Sequence, residues 1–439
     1  MRTPSHHPRP GSEAFCGSLL PRYGDGPAAD FRLQREAGLI LFLLSLIGAG
    51  LQGCGGGSGA GSSPQGQVPS ALYRSVLGLF STQNPGYGPR AGGDPTPMHL
   101  PAAYAEYARA EAHRYRATGD QTALTNALGA ADWLESNTDL DGDGELGWGL
   151  PYAWDASGDG VVNPPNTEYL IDTAFAIEAL LEVREAALAA GETERAAAFL
   201  NAALGAATTF ASGKFERDAT GIVFWYSSLP HDNFPNVNSS AAFVGQLQRL
   251  SRFPSPRAQQ FAQLADEGAA YLLARRETQQ GVPFWRYNGW DVPTWPQNKP
   301  NDLSHEVATF DGLLTYKDYG GAHGSAVDPE SFLDSLSRFV QPDRPHEFPL
   351  GFPYPAEVQA DMEARWPKIS AVGYALYFAA RQERLINRPA VHTQALREAL
   401  FRDYRTGDHW RYRPEDAQIV DGVPSQMAGV LLGLSYDEF

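Results

Sequence analysis

Lysine is nearly missing from this 439-residue chain: only Lys214, Lys299, Lys317 and Lys368 are present, and no basic run occurs anywhere. Lys and Arg together number 34 against 51 Asp and Glu, a formal net charge of −17. Phosphate backbones are held by clustered cations, so this balance argues against a nucleic-acid partner. Cysteine is scarcer still. Cys16 and Cys54 stand alone, which excludes a disulfide framework and a cysteine-built zinc site. No apolar run reaches the roughly 20 residues that span a bilayer comfortably. No alternating β-branched stretch is long enough to build a sheet core. Yet 43% of residues are hydrophobic and only 19% charged, so the chain can bury a large core. Its length suits two or three average domains or one large fold.

The first 53 residues read as an address. Residues 1–30 are polar, rich in Pro and Gly, and without hydrophobic period: a disordered leader, or residues upstream of the true start. Arg32 and Arg35 then precede a 15-residue apolar run, Ala37 to Leu51. A basic flank, a short apolar stretch and small residues describe an export signal. The next step, Leu51-Gln52-Gly53-Cys54, resembles a bacterial lipobox, with Gln52 bulkier than usual. That resemblance implies a lipid on Cys54, which becomes the mature N-terminus and anchors the protein to a membrane. Gly55 favours an outer-membrane destination in the bacterial envelope. Residues 54–68 contain GGGSGAGSSPQGQ, a flexible tether. Residues 1–53 hold five Arg and four acids, net +1, so the mature part carries −17 − 1 = −18.

From residue 69 to 439 the pattern is helical. Amphipathic segments fall at 69–82, 99–118, 122–136, 167–190, 193–212, 238–251, 256–277, 303–318, 329–340, 368–384, 389–403 and 423–434, about twelve helices. Short joins such as Gly119-Asp120 and Gly191-Glu192 suit antiparallel αα-hairpins. The long loops carry a second repeat, in which an aromatic segment is followed by a polar cluster opening a helix. Trp148, Tyr152 and Trp154 lead to Asn166-Thr167-Glu168, and Phe224-Trp225-Tyr226 leads to Asn238-Ser239-Ser240. Trp285-Arg286-Tyr287 leads to Asn301-Asp302, and His409-Trp410-Arg411-Tyr412 leads to Pro424-Ser425-Gln426. Asn, Ser and Asp cap helices by accepting free backbone N–H groups. If alternate helices form an inner ring, all four aromatic segments gather at one of its mouths.

About twelve helices in hairpins, with W-x-Y loops feeding the inner ones, resemble the (α/α)6 toroid proteins that act on carbohydrates: glycosidases, polysaccharide lyases and epimerases. Segment 147–169, GWGLPYAWDASGDGVVNPPNTEY, is similar to sequences of a bacterial biofilm exopolysaccharide-biosynthesis branch. The resemblance implies an all-α toroid over residues 70–439 with short aromatic turns at one face. It does not choose a reaction, because one toroid hosts many chemistries.

Asn301-Asp302-Leu303-Ser304-His305-Glu306 is the densest polar constellation. On a helix starting near Asp302, spacings of three and four put Asp302, His305 and Glu306 on one face. Histidine titrates near neutrality, and a neighbouring carboxylate orients it. Lyases of the toroid superfamily use Asn and His near an inner helix start, with a Tyr as base or acid. By that resemblance Asn301, His305 and Tyr226 take those parts, although Asp302 and Ser304 intervene. The plain alternative is an Asp N-cap bonded to its own histidine. Hydrolysis instead needs two carboxyl groups facing across a glycosidic bond. Glu168 and Asp172, four apart on one helix, could serve only with Asp302 or Glu306 from another. His231-Asp232-Asn233 is a further candidate for the cleft.

Two acidic turns suggest calcium. Asp139-Leu140-Asp141-Gly142-Asp143-Gly144 has oxygens at alternate positions and Gly at the sixth. Asp155-Ala156-Ser157-Gly158-Asp159-Gly160 repeats the theme. Neither has the bidentate Glu at position twelve, where Leu150 and Asn166 stand, so other carboxylates must join. Such turns also form simply because Asp and Gly tolerate left-handed backbone.

Seven of the nine tryptophans, including Trp148, Trp154, Trp225, Trp285 and Trp410, lie in the aromatic loops. Sugar C–H faces stack on indole, and Arg286 and Asn301 could bond hydroxyls. The duller reading makes these rings loop cores. The acidic balance favours a neutral glycan over a heavily anionic one. The sequence thus predicts a lipoprotein that cleaves or modifies an extracellular polysaccharide, as lyase, hydrolase or epimerase. The alternatives are a non-catalytic glycan-binding lipoprotein in exopolysaccharide assembly, and a terpene-cyclase-like or protein-binding toroid.

Overall fold

The computed structural model describes residues 68–91, 95–156, 158, 160–288 and 299–439. The predicted leader, Cys54, nearly all of the tether, Asp159, Trp290 and Trp295 lie outside the described residues.

Thirteen α-helices run through the described residues. They are α1 (Ala71–Leu77), α2 (Pro101–Thr118), α3 (Gln121–Ser136), α4 (Leu170–Ala189) and α5 (Thr193–Ala211). Then come α6 (Val237–Leu250), α7 (Ala258–Ala274), α8 (Leu303–Asp318) and α9 (Pro329–Leu336). The last four are α10 (Ala356–Ala364), α11 (Ile369–Leu385), α12 (Val391–Arg402) and α13 (Pro424–Glu438). Four antiparallel two-stranded hairpins lie between them: β1 (Tyr87–Gly88) with β2 (Met98–His99), and β3 (Phe215–Arg217) with β4 (Ile222–Phe224). The others are β5 (Glu277–Gln279) with β6 (Val282–Phe284), and β7 (Arg405–Thr406) with β8 (His409–Trp410).

Six helices close a ring. α2, α4, α6, α8, α11 and α13 each pack on the next, and α13 returns to α2. Outside them α3, α5, α7, α9 and α12 each pack on the inner helix that precedes them, and α1 packs on α13. This is an (α/α)6 toroid, as the hairpin joins predict. Gly119 (φ 73°) ends α2, and the Asp120 side chain at once caps α3 by accepting the Thr122 N–H at 2.8 Å, so two residues turn the chain. Long loops enter the inner helices, so the N-termini of all six open at one mouth.

Two inner pairs touch backbone to backbone. A Cβ on Gly312 of α8 would lie 2.2 Å from the Ala241 carbonyl of α6, and one on Gly373 of α11 would lie 2.4 Å from the Gly429 carbonyl carbon of α13. Only glycine fits such crossings.

Three differences from the sequence pattern have clear causes. α10 was not among the expected helices because only two apolar side chains larger than alanine, Val358 and Met362, mark its face, half-buried against Phe284, Phe348, Phe352 and Tyr354. α6 is capped by Asn236, which accepts the Ser239 N–H at 3.1 Å, not by the expected cluster 238–240. Asn166 takes a left-handed conformation (φ 67°) and ends the loop before α4 rather than capping it.

The far end of the axis is closed by charge. Arg109 of α2 bonds Glu178 at 2.8 Å and Glu182 at 3.3 Å on α4. Arg381 of α11 bonds Asp311 of α8 at 2.7 Å, and the Tyr377 hydroxyl donates to the same carboxylate. Buried charges endure only when paired in this way.

Candidate active site at the toroid mouth

An axial cavity of about 180 Å³ lies under the mouth. All six inner helices reach it: Glu106 from α2, Phe175 from α4, Asn238 from α6, His305 from α8, Tyr374 from α11 and Ser425 from α13. Tyr226, in the loop after β4, completes the wall. Ligand pockets commonly run to about 300–1,000 Å³, so this one has the scale of a single sugar ring. Its lining sets hydroxyl, amide, carboxyl and imidazole groups among the apolar side chains of Ile171, Phe175, Ala308 and Ala371.

Three titratable groups, Glu106, Tyr226 and His305, line the cavity. His305 sits in the first turn of α8, its Nδ1 2.7 Å from Oδ1 of Asp302. Asp302 caps the helix: the same oxygen accepts the His305 backbone N–H at 3.1 Å and the Ser304 hydroxyl at 2.7 Å. Burial alone would raise its carboxyl, but His305 and these hydrogen bonds hold it well below the usual range, so it stays ionised. The Tyr287 ring stands edge-on to the imidazole, centroids 4.8 Å apart. Nδ1 makes no aligned hydrogen bond, so the imidazole is placed by its close contact with Asp302 and by the Tyr287 ring.

Opposite sits Glu106, which the sequence reading missed. Burial pushes its carboxyl up to about 8, against the pull of Arg109 and with the help of Asp172. Asp172, in the first turn of α4, is itself pushed up to about 7 by burial. Tyr226 is raised well above its ordinary value by burial first, then by Tyr287 and Asp172. A carboxyl kept protonated at neutral pH can donate a proton, and an imidazole can take one. An acid flanked by alanine and tyrosine in the first turns of α2 was the available signal for Glu106.

Other predicted residues lie elsewhere, for identifiable reasons. Glu306 is buried, one oxygen accepting the Trp285 N–H at 3.2 Å and the other the Asn301 side-chain amide at 2.8 Å. Burial pushes this carboxyl up to about 8. Thr173 holds the Trp148 N–H at 3.1 Å and Ser240 holds the Phe224 N–H at 3.3 Å in the same way. Glu306 and Asn301 therefore belong to a repeated clasp that ties each aromatic segment to its inner helix. Trp148 and Trp285 are 1% and 0% exposed. Their indole N–H groups donate to Leu134 and Leu272, in the last turns of α3 and α7. They pin outer helices and offer no face to a ligand. Trp410 is buried likewise, its backbone held by Asp421.

The remaining aromatics divide. Trp154 stands edge-on to Tyr169 at 5.3 Å and to Tyr226 at 6.0 Å, beside the cavity wall. Asn163 braces this wall by donating to the Tyr169 hydroxyl at 2.8 Å and to Asp232 at 2.6 Å, and it contacts His231 at 2.6 Å. Tyr152 lies under the Arg90 guanidinium at 4.2 Å. Trp225 lines a separate groove with Lys214 and Glu145, and its indole donates to Glu216. Arg286 is engaged by Glu277, and Tyr412 lies under Arg413.

The two acidic turns part company. Asp139, Asp141 and Asp143 are exposed and place their oxygens within 4.8 Å of one another. Asp155 instead closes its own turn, accepting the Gly158 and Gly160 N–H groups at 2.7 and 2.9 Å. Among the described residues it joins no acidic cluster.

No family model and no curated protein matches the sequence. Solved structures match at low identity. An inactive variant of an α-1,6-mannanase of Salegentibacter sp. HEL1_6, in complex with α-1,6-mannotriose, is 9% identical over 84% of this chain and 97% of its own, with a TM-score of 0.51. A polysaccharide lyase is 12% identical over 84% and 95%, TM-score 0.53. The cellobiose 2-epimerase of Bacillus thermoamylovorans B4167 is 11% identical over 83% and 98%, TM-score 0.54. At such identity the likeness establishes the shared toroid, and these three names span three reactions.

Proposed function

We propose that this protein is an envelope lipoprotein, anchored through Cys54, that performs acid–base chemistry on a sugar unit of an extracellular polysaccharide. One observation carries the reading: Glu106, Tyr226 and His305, from three separate elements, converge on one cavity the size of a single ring. His305, oriented by Asp302, is the base. Glu106 is the proton donor, and Asp172 helps keep its proton in place at neutral pH. Tyr226 stays protonated and bonds the sugar or the departing oxygen. Asn238, Ser239 and Ser370 offer further hydrogen bonds to hydroxyls. Trp154 stands beside the cavity wall, against Tyr226. The net charge of the chain favours a neutral glycan. The structural neighbours named for a mannanase, a lyase and an epimerase support carbohydrate chemistry without choosing among the three.

The test is the mass of products from a panel of bacterial polysaccharides. Products with water added identify a hydrolase. Unsaturated products without it identify a lyase. Unchanged mass with altered sugar composition identifies an epimerase. Intact chains that only raise the melting temperature would replace the enzyme with a glycan-binding protein.

A further inference from the structure

The acidic turn after α3 carries oxygens at alternate positions but lacks a carboxylate at position twelve, where Leu150 stands. The fold brings one from elsewhere. Glu168, the second residue before α4, places a carboxylate oxygen within 4.8 Å of those of Asp143 and Glu145. It is 1% exposed, and neither of its buried oxygens makes an aligned hydrogen bond. The Ser228 hydroxyl is the nearby side-chain donor. The path to the turn is kept open by Gly147, where a Cβ would lie 2.6 Å from the Glu168 Cγ.

We propose that Asp139, Asp141, Asp143 and Glu145 of this turn, closed by Glu168 in place of a twelfth-position glutamate, bind one calcium ion. Two groups of three carboxylates, Asp139/Asp141/Asp143 and Asp143/Glu145/Glu168, meet at Asp143, and calcium takes six to eight oxygens in a loose shell that these groups and the turn backbone can supply. The turn is already folded for it. Asp139 accepts the Gly142 N–H at 2.9 Å and Asp143 the Glu145 N–H at 2.7 Å, while Gly142 and Gly144 take left-handed angles of 78° and 90°. Among the described residues only Glu145 of these carboxylates is paired with a cation, Lys214 at 2.7 Å. The ion would also fix the mouth. The Glu168 carbonyl accepts the Ser228 N–H at 2.9 Å, and the next residue, Tyr169, packs on Tyr226.

The test is calorimetric titration of the chelator-stripped full-length chain with calcium chloride, with melting curves in calcium, magnesium and chelator. This reading is independent of the sugar chemistry, since it needs no substrate. One calcium per chain is expected, with a Kd of about 10⁻³ M or tighter. Melting should rise more in calcium than in magnesium. E168Q should weaken calcium binding at least tenfold. D141N, at an exposed position, should weaken binding without changing the melt in chelator. No heat and no melting shift with calcium would overturn the proposal, as would E168Q or D141N binding with the parent's affinity.

Discussion

Nδ1 of His305 lies 2.7 Å from Oδ1 of Asp302, and that oxygen also takes the backbone N–H of the same histidine. One carboxylate thus starts the helix and aims the imidazole into the axial cavity. H305A should lower kcat by about 10²–10⁴, the usual worth of a positioned acid or base. D302A should lower it less, and should also cost about 1 kcal/mol through the lost cap. Steady-state kinetics with melting curves separate the two effects.

Glu106 should set the alkaline limb of activity. Its acid form prevails below about pH 8, so turnover that needs its proton is lost as pH rises through that value. E106Q should lower kcat and abolish that limb while leaving the acidic limb in place. A pH–rate profile of parent and variant reads this directly.

Stability should fall with pH over the same range. Glu106, Asp172 and Glu306 have usual values of 4.5, 3.8 and 4.5 and are raised to about 8, 7 and 8. Between those limits the folded chain binds more protons than the unfolded one. Their stabilisation is full below about pH 4 and is lost as pH rises through about 7 to 8. Urea unfolding at pH 5 and pH 8 should show the drop, and E306Q should flatten part of it.

The ring itself was readable from the sequence. The Gly119-Asp120 and Gly191-Glu192 joins announce hairpins, and helix 303–318 has its expected bounds, because apolar spacing and caps are local signals. The tryptophans were not separable that way. Trp148, Trp285 and Trp154 share one loop grammar, and only the three-dimensional path shows two of them donating to outer-helix carbonyls. Glu306 misled for the same reason: it sits on the turn that carries His305 but reaches back to the Trp285 N–H. Glu106 was overlooked because an acid on an alanine-rich helix looks solvated until six helices close around it.

The structural tryptophans give a contrasting expectation. W285A should destabilise the fold by about 3–5 kcal/mol. W154A should leave the melt nearly unchanged and weaken glycan binding by about 0.5–1.5 kcal/mol, the scale of a ring contact. Melting and binding curves on both variants distinguish a pin from a platform.

Backbone contact between the inner helices is equally testable. G312A places a methyl 2.2 Å from the Ala241 carbonyl oxygen and should cost about 1–3 kcal/mol, because neither helix can retreat without opening the ring. Denaturant unfolding measures it.

The central claim is that the axial cavity is where a glycan reacts. The most direct measurement is single-turnover rate on a responsive polysaccharide for the parent, H305A and E106Q, each checked for an unchanged melting temperature. The account predicts that both variants fold, still bind the glycan, and lose at least a hundredfold in rate. Folded variants turning over at the parent's rate would contradict it and move the chemistry elsewhere on the toroid.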